Sequence, residues 1–145
     1  MLWVLRILRV FLGVIFVYAA WTKLQHPWTM FALSIDAYQL LPEWAVLGIA
    51  RVLPGLELVI GILLLTGFAL RYVAVAAALI LAVFFSIMLF SWGKGMAIDC
   101  GCFGLGEALT WKSLVRDGAL LVSAMILAWS AFRVQRRLGS RLFWF

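Results

Sequence analysis

Charge is scarce in this chain, and what there is leans to one sign. Only 12% of the 145 residues are charged, Asp and Glu number 6 against 12 Lys and Arg, and 67% of the residues are hydrophobic, with a mean hydropathy of +1.13. A soluble domain carries about a quarter of its residues as charges, so this composition excludes one and describes an integral membrane protein. The net charge of +6 does not point to nucleic acid. The arginines gather at chain and span ends instead of lining a groove interleaved with aromatics, which suits lipid headgroups. One histidine and two cysteines leave little with which to build a metal centre. Internal repeats and low-complexity linkers are lacking too, so residues 1–145 read as one membrane domain.

Long apolar runs are what the chain has instead. The first, about 3–24, is long enough to cross a bilayer. Arg6 and Arg9 near its start and Ala19 and Ala20 near its end give it some likeness to a signal peptide, but it is read as a retained helix. Gly13 and Ala19 would admit a close neighbour, and Lys23 is expected to close the helix at the far interface. Residues 26–43 are too polar to span. There Trp28, Phe31, Ile35 and Tyr38 recur at helical spacing between Pro27 and Pro42, which predicts a short interfacial helix.

A second span over about 44–67 contains Pro54 and Gly55, which predict a kink or a fresh helical start. It also carries Arg51 and Glu57. Ionisable groups at membrane depth are costly, so each should face the bundle interior or a partner, and Glu57 is expected to pair with Arg9 or Arg6 in the inner half of the bundle. Residues 67–71 form a turn into a third span, about 72–92, alanine-rich first and phenylalanine-rich later. Its second half is expected to be bulkier and able to accommodate a ligand. Thr110 caps a fourth span over about 111–131, with Lys112, Arg116 and the intramembrane Asp117 in its first turns. A basic, aromatic tail over 132–145, with Arg133, Arg136, Arg137 and Arg141, is expected to lie on the membrane surface. The fold class is therefore all-α, a four-helix membrane bundle with one short interfacial helix between spans one and two.

Both cysteines fall in one short glycine-rich run, Asp99, Cys100, Gly101, Cys102, Phe103, Gly104. Thiols one residue apart can close a small ring, and Gly101 lets the backbone bend around it. Such a ring is strained and readily reduced. Cross-linking near neighbours also removes little entropy from the unfolded chain, so the pair reads as electron-exchanging more than as a staple. Cys100 and Cys102 are the candidate catalytic pair, with Lys94, Lys112 and Arg116 as nearby cations that favour a thiolate. Three alternatives stand beside this. One is a non-enzymatic membrane subunit or assembly factor of a redox complex, whose outer loop docks a partner while the cysteines only stiffen it. The others are a soft-metal site of Cys100, Cys102 and His26, and a pair of inert buried thiols.

Four spans put both termini on one side. That side collects Arg6, Arg9, Arg71, Arg133, Arg136, Arg137 and Arg141, while Lys23, Lys94, Lys112, Arg116 and five of the six acids fall on the other. The positive-inside rule then places both termini in the cytoplasm and the cysteine run outside the inner (plasma) membrane, in the oxidising compartment.

At this point the sequence resembles the MauE family, within the wider DoxX-like group of four-helix membrane proteins. The residues that carry the resemblance are Lys23 with Pro27, the run Ala37, Tyr38, Gln39, Leu40, Leu41, Pro42, the run from Leu53 through Glu57 to Gly67, and Asp99 to Gly104. The resemblance implies a periplasm-facing helper in disulfide formation or maturation of a partner protein, working beside a thioredoxin-like or other extracytoplasmic redox protein, and sitting alone or within a larger membrane complex. In layout the chain is also similar to quinone-coupled disulfide-forming membrane enzymes, which implies a quinone as one electron acceptor. Those enzymes carry further cysteines, where this chain has one pair.

Overall fold

The fold was analysed in a computed structural model, which describes residues 2–95 and 110–138, with side chains over 3–95 and 110–133. Five helices follow in order: α1 (Leu2–Leu24), α2 (Trp28–Asp36), α3 (Glu43–Thr66), α4 (Leu70–Gly93) and α5 (Trp111–Leu138). All but α2 are long and apolar enough to cross a membrane. Their outward faces carry bare large side chains such as Trp3, Ile7, Val14, Val59, Leu79 and Trp129, which in water would be an aggregation liability and in lipid is the matching surface. The protein is an all-α, multi-pass four-helix bundle.

The turns obey local chemistry. Gly67 ends α3 in the left-handed region (φ 79°), its N–H donating to the Leu63 carbonyl at 2.9 Å, and Ala69 (φ 47°) completes a tight connection to α4. Pro27 and Pro42 precede α2 and α3, as the sequence predicts. Thr110 caps α5 by accepting a hydrogen bond from the Ser113 backbone N–H (3.4 Å). Of the two outcomes expected at Pro54, a fresh helical start does not occur. Pro54 lies inside one continuous α3; its ring is buried, so packing offsets the backbone hydrogen bond it cannot make. The tail also starts as helix, since α5 continues through Arg133 to Leu138 before residues 139–145, which lie outside the described residues.

The long helices close into a ring in which α1 packs mainly on α3 and α4 on α5, while α3 meets α4 and α1 meets α5 more sparingly. Small residues set the closest crossing. A Cβ on Gly61 would stand 2.7 Å from Val17 Cγ2, 2.9 Å from Val17 N and 3.0 Å from the Gly13 carbonyl oxygen, so these two helices touch backbone to backbone. This antiparallel crossing pairs the middle of α1 with the last third of α3 and staggers the two helices. The first half of α3 is left to pack against α2, in a cluster of Phe31, Ala32, Val46 and Ala50. The larger apolar core, around Leu12, Phe16, Leu64, Ala74, Ala77, Leu120 and Leu127, fills the end of the bundle nearer the termini.

Candidate functional site

The stagger decides which charges meet. On α1, Leu12, Phe16, Ala19, Ala20 and Lys23 are all buried, a spacing that puts them on one face at successive turns. Lys23 is therefore carried inward with them and does not sit at an interface, being only 4% exposed. Across from it Glu57, also 4% exposed, accepts two charge-assisted hydrogen bonds from Lys23 Nζ, at 2.7 Å to Oε1 and 2.8 Å to Oε2. Phe31 of α2 and Phe84 of α4 flank the ammonium, their ring centroids 5.3 and 5.4 Å away. The negative end of the α1 dipole adds to its stabilisation, because Lys23 lies in the last turn.

This corrects the expected pairing of Glu57 with Arg9 or Arg6. Glu57 is level with the end of α1, not in the half nearer the termini, because α3 is displaced along α1 by the Gly13–Gly61 crossing. Arg6 is exposed, and Arg9 Nε has no partner among the described residues. Arg51 faces outward and not into the bundle, and its guanidinium stacks over Trp28 at 4.4 Å. Asp117, 3% exposed, accepts from Arg116 Nε at 3.2 Å. Lys94 is exposed and stacks over Phe90 at 4.3 Å, while Lys112 and His26 are exposed.

A cleft at the centre of the ring draws on all four long helices, with Phe16 and Ala19 of α1, Glu57 of α3, Phe84 of α4 and Asp117 of α5 on its walls. The expected bulkier region in the second half of α4 thus falls beside this cleft. Among the described residues the buried polar side chains are Lys23, Glu57, Ser91, Ser113 and Asp117. All five lie in the half of the bundle where α4 ends and α5 begins, the two helices that residues 96–109 join in sequence, and the opposite half holds the larger apolar core. Asp99, Cys100, Gly101, Cys102, Phe103 and Gly104 belong to that stretch and lie outside the described residues. No cluster of three metal-type ligands occurs among the described residues.

From sequence alone Lys23 is a helix end, and Ser91 and Ser113 carry no functional signal. The repeat of buried positions along α1 is the signal that would have drawn Lys23 inward. The hydroxyl of Ser91 gives none, because most helical serines return their hydroxyl to the preceding turn, as Ser86 does to the Ala82 carbonyl.

Compared with known proteins, residues 1–130 match the family described as "Methylamine utilisation protein MauE". The chain is 36% identical over 129 residues to the methylamine utilization protein MauE of Paracoccus denitrificans, covering 86% of this chain and 68% of that protein. It is 33% identical over 124 residues to the MauE of Methylorubrum extorquens, covering 83% of this chain and 66% of that protein. The chain thus spans about two thirds of the length of these curated relatives. No solved structure matches. The matched residues include the Lys23–Glu57 pair, Asp117 and both cysteines.

Proposed function

Since the chain belongs to the MauE family, we propose that it is a membrane thiol–disulfide protein whose Cys100–Cys102 pair supports disulfide formation or maturation of an extracytoplasmic partner. The observation that supports this reading is the one-sided distribution of buried polar groups: Lys23, Glu57, Ser91, Ser113 and Asp117 gather in the half of the bundle where α4 ends and α5 begins, the two helices that the cysteine-bearing segment joins in sequence. Polar groups inside a membrane bundle are costly to keep and tend to mark working sites.

In this reading a dithiol partner attacks the Cys100–Cys102 disulfide, passes through a mixed disulfide and leaves oxidised, while both cysteines become thiols. Two electrons and two protons move from partner to protein. The pair is restored when a second acceptor, a membrane quinone or another protein disulfide, takes the same two electrons and two protons. Lys94 at the end of α4 and Lys112 and Arg116 at the start of α5 bracket the segment in sequence and supply positive charge that favours the attacking thiolate. The orientation that goes with this role has both termini in the cytoplasm and the cysteines outside. The partner is of the thioredoxin-like class, a fold built to present an exposed dithiol.

The reading is tested by equilibrating the purified chain in glutathione buffers and counting free thiols by alkylation. A midpoint within the range of exchanging disulfides supports it. A midpoint below about −300 mV marks a structural bridge and contradicts it.

A further inference from the structure

We propose that the end of the bundle bearing the start of α1 and the end of α5 holds a site for the phosphate of an anionic phospholipid headgroup, centred on Arg9. The Nε of Arg9 is shielded from solvent and has no hydrogen-bond partner among the described residues. A shielded donor on a charged group is expensive to leave unmet, and among the described residues none accepts from it.

No acidic side chain of the described residues stands there: these are Asp36, Glu43, Glu57 and Asp117. Glu57, the one furthest along α3, is held by Lys23 and lies on the order of 13 Å short of that helix's end.

Cations collect at the same level from three helices. Gly13 lies against Leu65 and Gly61, so Arg9, one turn earlier on α1, falls beyond the end of α3 beside the turn into α4, where Arg71 stands. Gly118 lies against Phe85; stepping from that contact equally along α4 and α5 toward the termini brings Arg71 level with Arg133. Arg71 stacks over Tyr72 at 4.2 Å and donates to its hydroxyl at 2.5 Å, and Arg133 stacks over Trp129 at 3.9 Å. Exposed Tyr and Trp sit at headgroup depth, so these pairs set the level of the guanidinium groups. Arg6 is exposed nearly a turn further out on α1, and α1 and α4 both begin at this end, adding two positive helix termini. A guanidinium fork of Nε and Nη meets a phosphate with two parallel hydrogen bonds, and that is the arrangement Arg9 is free to make.

This site rests on the bundle alone and stands or falls apart from the thiol reading. The full chain is purified in neutral detergent with phosphatidylglycerol or phosphatidylcholine, and retained lipid is counted by native mass spectrometry. The expected result is selective retention of phosphatidylglycerol. Arg9→Gln should weaken it about fivefold, the worth of one basic side chain at a membrane surface, and Arg51→Gln at the other end should leave it unchanged. Equal retention of both lipids, or full retention by Arg9→Gln, overturns the site. Inorganic phosphate is run alone: if it stabilises the chain as much as the lipid does, free phosphate is the ligand and the lipid assignment fails. Should Arg9→Gln not insert, Arg9→Lys keeps the charge and loses the fork; it must still lower retention, and unchanged retention counts against the proposal.

Discussion

At the scale of single residues, the account turns on two charges that hold each other in a membrane interior. Lys23 donates two short hydrogen bonds to Glu57 while both are nearly sealed from solvent, so neither can lose the other cheaply. Glu57→Gln and Lys23→Met should each destabilise the bundle by about 3 kcal/mol or more. The combined Lys23→Met, Glu57→Gln variant should cost well under the sum of the two, because no charge is left buried alone. Equilibrium unfolding in mixed micelles reads both effects; additive losses would mean that the pair contributes nothing as a pair. That Glu57 needs a partner is legible in the sequence, since an ionisable group at such depth demands one; that Lys23 does is not, because by position it is a helix end at the interface. Which partner Glu57 takes is not legible either. The choice between Lys23 and Arg9 depends on how far α3 slides along α1, and that slide is fixed by a contact between Gly13 and Gly61 from distant parts of the chain.

At the scale of elements, hydropathy and punctuation sufficed for most of the fold. The four spans, the short helix after Pro27, the Gly67 turn and the Thr110 cap are all where local chemistry predicts them. Pro54 starts no new helix because a buried proline in a packed membrane helix is tolerated where the same residue in an exposed helix would break it. The helical crossing itself makes a sharp contrast among glycines. Gly61→Val should lower stability by about 1–3 kcal/mol, since the new side chain meets the backbone of α1, which cannot move aside without parting the helices. Gly55→Ala meets nothing within 4 Å and should be neutral or stabilising by up to about 1 kcal/mol. Thermal melts of the two variants side by side check this; equal behaviour would show that the crossing is not set by Gly61.

At the scale of the whole molecule, polarity is segregated along the bundle: the larger apolar core toward the termini, buried polar groups toward the end of α4 and the start of α5. The cysteine pair and the arginine bias are legible in the sequence, but the polar layer emerges only when four helices bring Lys23, Glu57, Asp117, Ser91 and Ser113 into one half. With the proposed orientation, a membrane-impermeant thiol reagent should label Cys100 and Cys102 in intact, reduced cells; labelling only after the inner membrane is opened would reverse it. The most direct test of the central claim follows the oxidation of a reduced thioredoxin-like protein by the purified chain reconstituted in quinone-containing vesicles. The parent should oxidise it, both Cys100→Ser and Cys102→Ser should insert normally yet fail to turn over, and, when the probe is supplied oxidised instead, the remaining thiolate of one of the two should attack its disulfide and accumulate as a mixed disulfide, the probe's other sulfur leaving as a thiol. Full oxidation by both serine variants would contradict the account and leave the segment as a docking surface.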